Sequence, residues 1–167
     1  TIATSVSDGV AAPITGSKAM TGTPVNDAPT ATNLSAAETY TEDTPLNLTD
    51  IVVSDVDSAN VTAILTVSNV AAGSLTTATS GAVTSTYNAG TGVWTASGAL
   101  ADVNTLLAGV SFNPALNFNS NFTIATSVSD GVAAPITGSK AMTGVPVNDA
   151  PVLASGSTLN YTENQAA

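Results

Sequence analysis

The chain is 167 residues long and sets twelve acidic residues against two lysines, with no arginine, histidine or cysteine and a formal charge of −10. So few cations cannot displace counterions from phosphate, which excludes nucleic acid and anionic membrane surfaces and favours cations as partners. Disulfides, thiolate metal sites and histidine-based acid–base chemistry are excluded as well, and no enzymatic role is expected.

With 43% hydrophobic and only 8% charged residues, the chain has enough apolar content for a core while most of its surface is neutral. No apolar run approaches the roughly 18 residues of a membrane span, so no membrane insertion is expected in this segment. No basic stretch at residue 1 marks a signal peptide, so any targeting signal is expected outside this segment. The cysteine-free, acidic, Thr- and Asn-rich profile points to a bacterial extracellular or cell-surface protein.

Residues 1–29, TIATSVSDGVAAPITGSKAMTGTPVNDAP, recur as residues 123–151 with one change, Thr23 against Val145. The offset of 122 residues exceeds the units of helical and leucine-rich solenoids and matches one small folded domain. The chain therefore reads as a little more than one period of a tandem array. Residues 1–23 are expected to supply the last strands of a preceding module. Pro24–Pro29 follows as a stiff linker, because proline fixes its own φ and extends the residue before it. Residues 30–145 form a complete module, 146–151 the next linker, and 152–167 the start of another module.

Within the complete module, period-two alternation predicts strands at Leu46–Thr49, with the same strand read on to Ser54, and at Val61–Val67, Val83–Tyr87, Gly92–Ser97, Phe122–Val128 and Ile136–Val145. About seven short strands with turn signals between them predict an all-β fold, an antiparallel β-sandwich. One stretch departs from this pattern. Leu100, Val103, Leu106, Leu107 and Val110 recur at helical spacing, which predicts one short helix capped by Ser97 or Gly98, with Asp102 in its first turn and Gly109 at its end. Trp94 is expected in the core rather than in a sugar-stacking platform with Tyr87 and Phe112. Lys18 and Lys140 are read as solvent-facing, with a cross-link to an asparagine beside a carboxylate as the alternative.

One period carries nine carboxylates, Asp27, Glu38, Glu42, Asp43, Asp50, Asp55, Asp57, Asp102 and Asp130, against Lys140. The pair Asp55-Val56-Asp57 sits in a loop, where mutual repulsion favours a bound cation. Hard oxygen ligands without nitrogen or sulfur select Ca²⁺.

Four motifs stand in a fixed order: Tyr40-Thr41-Glu42, Asp55-Val56-Asp57, the stretch from Phe122 to Asp130-Gly131, and Val147-Asn148-Asp149-Ala150-Pro151. Together they resemble the cadherin repeat, and more closely the bacterial cadherin-like repeats of giant secreted adhesins. The resemblance covers the whole period and implies Ig/cadherin-like Greek-key sandwich modules in tandem, with Ca²⁺ held at each junction. It implies that Asn26, Asp55, Asp57 and Asp130 converge at the end facing the previous module. It also implies that Glu42 meets Asn148 and Asp149 at the opposite end, and that Asp27 pairs with a glutamate of the preceding module. Asp8 and Glu163 are partial copies of such positions.

The chain departs from the family where the linker opens with Pro24 or Pro146 instead of an aspartate. It departs again before the penultimate strand, where Asn113, Asn117 and Asn119 replace an acidic pair, so one or two ions per junction are expected rather than three. The function expected is the calcium-rigidified stalk or fibre of a bacterial adhesin, with neighbouring repeats of the same chain as partners. The alternatives are a subunit of a self-assembling filament or sheath, with lateral self-association, and a carbohydrate-binding module.

Overall fold

The structure, a computed structural model, describes residues 1–150 and Gly156, so the expected next module at 152–167, with Glu163, lies outside the described residues. A first hairpin pairs β1 (Ile2–Val6) with β2 (Ile14–Lys18). Beyond the linker come β3 (Thr30–Ala31), β4 (Glu38–Thr41), β5 (Leu46–Asn47), β6 (Val53–Ser54) and β7 (Asn60–Val67). Then follow β8 (Gly73–Leu75), β9 (Thr79–Ser80), β10 (Val83–Thr84), β11 (Thr86–Asn88) and β12 (Val93–Ala99). Helix α1 (Leu100–Ala108) precedes β13 (Ser111–Pro114), β14 (Phe122–Ser129) and β15 (Ile136–Val145). Strand accounts for 44% of the described residues and helical turns for 8%, which makes the described fold all-β with one α-helix, as expected.

The main sheet has six strands in the order β11-β12-β7-β14-β15-β4. Every ladder in it is antiparallel except the last, where β15 and β4 run parallel from Met142↔Glu38 to Val145↔Thr41. A smaller sheet, β5-β13-β8, faces it. The two meet through aromatic rings: Phe112 of β13 packs edge-on against Tyr40 of β4 at 5.2 Å and lies 5.0 Å from Phe122 of β14. Alternation explains the burial. Val61, Ala63, Leu65 and Val67 point inward from β7, Phe122, Ile124 and Val128 from β14, and Trp94 and Ala96 from β12. Thr126 shares that inward parity, and its hydroxyl donates to the Leu34 carbonyl at 2.9 Å, which removes the cost of burying it. Trp94 is fully buried and its indole N–H donates to Thr76 O at 3.0 Å, so it is a core residue.

Three sequence expectations are corrected. The strand read through Leu46–Ser54 is two short strands in different sheets, because Leu48, Ile51 and Val53 are all buried and a regular strand cannot put 48, 51 and 53 on one face. The helix has no side-chain cap, since Ser97 stays in β12 with its hydroxyl 2.7 Å from that of Thr62, and Leu100 N–H donates to Ala59 O instead. The run Val83–Tyr87 breaks at Ser85, which is buried and bonded to both the N–H and the carbonyl of Ala78.

Candidate functional site

The loop after β6 and the loop after β14 meet the segment Pro24–Pro29 at one end of the main sheet. Asp55 closes a tight turn, its Oδ1 accepting from Ser58 N at 2.8 Å and Asp57 N at 3.1 Å. The Ser58 N–H is the main influence holding the Asp55 carboxyl below the usual carboxylate range, while burial and the nearby Asp130 charge push it up. Asp130 builds the same device with Oδ1 on Val132 N and Ala133 N, both at 2.9 Å. Its second oxygen accepts from the Asn26 amide at 2.7 Å, the largest cause of its lowered pKa. Asp27 N–H donates to Asp57 Oδ2 at 2.9 Å.

Asn26, Asp55, Asp57 and Asp130 thus lie together at one end, and a groove of about 370 Å³ lined by Asp27, Ala28, Thr30, Ser54, Asp55 and Val56 runs beside them. Asp8 repeats the Asp130 turn, with Oδ1 on Val10 N at 3.0 Å and Ala11 N at 2.9 Å. These N–H bonds, from Ala11 first, lower the Asp8 pKa too.

At the opposite end Glu42 is buried, its Oε2 accepting from the Asn119 amide at 2.8 Å and its Oε1 from the Val147 N–H. Its own N–H donates to Val145 O at 3.0 Å, so the second linker leaves the sheet pinned to this glutamate. Glu42 therefore meets the linker through a backbone N–H. Asn148 and Asp149 are exposed, and the Asn148 amide lies 3.4 Å from Asp149 O, much as Asn26 lies 3.1 Å from Asp27 O. Asp43 and Asn117, both with positive φ, close the adjacent loop through Asn117 N to Asp43 Oδ1 at 2.9 Å.

Among the described residues no group of three or more carboxylates is gathered tightly enough to hold an ion on its own. Most of the carboxylate oxygens at the first end face N–H donors. Among those that do not, Asp55 Oδ2 is buried and has no hydrogen-bond partner. An ionised oxygen left bare in this way costs free energy unless a cation or donor reaches it. The donor set, carboxylate and amide oxygens with no nitrogen or sulfur base, fits Ca²⁺ in chemistry.

Sequence reasoning missed a second polar group, inside the sandwich. Lys140 is fully buried, not solvent-facing, and its Nζ donates to Glu38 Oε1 at 3.0 Å and to Thr49 O at 3.1 Å. Glu38 also accepts from Thr49 N at 2.8 Å and from Thr49 Oγ1 at 3.1 Å. Among the described residues no asparagine is a hydrogen-bond partner of Lys140, whose ammonium is taken up by Glu38 and Thr49. Parity could have found this pair, since Lys140 shares its strand face with Ile136 and Met142, and Glu38 shares one with Tyr40 and Glu42. Asn104 of α1 was missed as well; its side chain bonds both Val53 N at 2.8 Å and Val53 O at 2.9 Å, clamping β6 to the helix.

No family model, no curated protein and no solved structure matches the chain.

Proposed function

We propose that residues 30–145 are one cadherin-like Greek-key module of a tandem array, joined to its neighbours by Ca²⁺-rigidified linkers and serving as the stalk or fibre of a bacterial extracellular adhesin. The observation that carries this is the linker bonded at both ends of the module. Val147 N–H is held by Glu42, while the equivalents of the next two residues, Asn26 and Asp27, are held by Asp130 and Asp57. Shifted by one period, each Val-Asn-Asp segment is gripped by a glutamate of the module before it and by aspartates of the module after it. Two facing sheets, antiparallel apart from the ladder between β4 and β15, support the sandwich reading.

Asn26, Asp55, Asp57 and Asp130 would hold an ion at one end, and Glu42, Asn148 and Asp149 at the other, with Asp27 turned toward the preceding module. Bound Ca²⁺ supplies the positive charge that lets these carboxylates approach. The chain's own part is to fix their direction: the Asx turns orient Asp55 and Asp130, the linker N–H of Asp27 orients Asp57, and Asn119 orients Glu42. Without neutralisation the same charges repel and loosen the joint.

The test is the thermal stability of the 167-residue chain in 10 mM CaCl₂ against EDTA. For extracellular modules of Kd about 10⁻⁴–10⁻³ M, mass action gives about 1.4–2.7 kcal/mol of stabilisation. Asp55→Asn is expected to abolish most of it. Equal melting curves in calcium and EDTA would refute the proposal.

A further inference from the structure

One face of the main sheet is turned to the core and the other away from it. On the outer face β7 presents Thr62, Ile64 and Thr66, whose side chains alternate with the buried ones. The registers set their neighbours: Thr95 and Ser127 flank Ile64, while Val93 and Ala125 flank Thr66. The rows run on to Thr86 of β11 and Thr137 of β15, and Thr39 and Thr41 of β4 share the outward parity. Among the described residues no charged side chain stands on this face, although the chain carries a net charge of −10. The carboxylates lie elsewhere: Asp55, Asp57 and Asp130 at one end of the sheet, Asp43 at the other, Asp102 on α1, and Glu38 buried behind the sheet.

We propose that this face packs against its own copy on a second chain, the two main sheets lying face to face about a two-fold axis. Charge selects the surface. Chains of net charge −10 repel wherever their acidic ends or helices approach, whereas here two copies meet with no carboxylate set against another. Depletion of charge at the centre is also what distinguishes protein interfaces from other surface. The middle of the face is apolar, built from Ile64, Val93 and the methyl groups of Thr66 and Thr95, and hydroxyl groups surround it. Hydroxyls here pair across strands, with Thr62 Oγ1 2.7 Å from Ser97 Oγ, which lowers the cost of covering them.

The area is sufficient. Strands β12, β7, β14 and β15 have seven, eight, eight and ten residues, and they form a patch of about 19 by 25 Å at about 4.8 Å per strand and 3.3 Å per residue. With β11 and β4 each copy contributes about 600 Å², so the pair buries about 1,200 Å², the lower edge of specific interfaces. A reversible dimer follows, its sheets about 10 Å apart and crossed at about 30° by their twist. Because the contact is isologous it closes at two copies. In the array proposed above every module would carry the face, so two chains would pair along their length. The inference itself rests on the fold and needs neither the array nor calcium.

The experiment is sedimentation of the full chain in EDTA, over about 5–500 µM, because an interface of this size gives a dissociation constant of the order of 10⁻⁵ M. Thr95→Asp/Ala125→Asp places carboxylates on both sides of β7 and should weaken the dimer by at least about tenfold. Ala101→Asp/Thr105→Asp adds the same charge on the exposed side of α1 and should change it less than about twofold. Mixing Thr95→Asp/Ala125→Asp with Thr95→Lys/Ala125→Lys should restore a 1:1 complex, which shows that the loss comes from charge and not from unfolding; Trp94 emission checks the fold of each variant. A wild-type chain that stays monomeric would overturn the inference. So would a dimer that survives Thr95→Asp/Ala125→Asp, since it is then held elsewhere, or an equal loss in the α1 variant. Equal melts in calcium and EDTA would sink the calcium proposal and leave this one standing; a monomer stabilised by calcium would do the reverse.

Discussion

Lys140→Met tests the buried charge pair with an internal control. Removing the ammonium leaves the Glu38 carboxylate, itself buried, with only the Thr49 N–H and hydroxyl as donors. Stripping one partner from a buried pair costs about 3–5 kcal/mol, and the two surviving hydrogen bonds place this case near about 3. Lys18 occupies the same register position in the exposed hairpin, so Lys18→Met should cost less than about 0.5 kcal/mol. Urea unfolding followed through Trp94, the only tryptophan, reports on the core that encloses Lys140. At an m-value of about 1.5–2 kcal/mol/M, the loss lowers the midpoint by about 1.5–2 M. Lys140→Met/Glu38→Leu should recover most of it, because an apolar pair of similar volume leaves no unpaired charge. A cost below about 1 kcal/mol for Lys140→Met, or one equal to that of Lys18→Met, would refute the argument.

Gly138→Ala should destabilise by about 1–3 kcal/mol in the same urea assay, because a Cβ there would lie 2.7 Å from Leu34 Cβ and O. Its copy Gly16→Ala meets only Thr4 Oγ1 at 3.3 Å and should be close to neutral. Asn104→Ala strands both polar groups of Val53, for a loss of about 2–4 kcal/mol in chemical denaturation. Asp55 and Asp130 have folded pKa values below that of an unfolded aspartate, about 3.9. Their stabilisation is therefore complete above that value and disappears as pH falls through the folded pKa values. Melts at pH 6, 4 and 3 should fall only below about pH 4, and Asn26→Ala should reduce that acid sensitivity. An unchanged acid limb in Asn26→Ala would contradict the role given to its bond with Asp130.

Strand positions were legible wherever alternation ran long enough to set a parity. Residues 61–67, 122–128 and 136–145 form strands as expected, and the helix begins and ends about where its Leu and Val spacing places it. The segment 46–54 was not legible, because its buried residues follow two sheets in turn and so obey no single period. The meeting of Asn26, Asp55, Asp57 and Asp130 at one end was implied by the family resemblance and is not readable from any one motif. The grip of Glu42 on Val147 did not, since the donor is a backbone N–H and leaves no mark on residue type. Lys140 was misplaced because its charge outweighed its parity in the reading, although Glu38 stood on the matching face of the neighbouring strand.

The parallel ladder between β4 and β15 also decides how the module carries load. In the array proposed above, tension would enter at Asp27 and leave through Val147, at opposite ends of the main sheet. The first strand of the main sheet and its last strand lie side by side and point the same way, so that tension slides one along the other. The register pairs from Met142↔Glu38 to Val145↔Thr41 are then strained together rather than one after another, and the bonds of Glu42 to Val145 and Val147 extend the same line. Resistance to stretching is in this way a property of strand direction and does not depend on a bound ion.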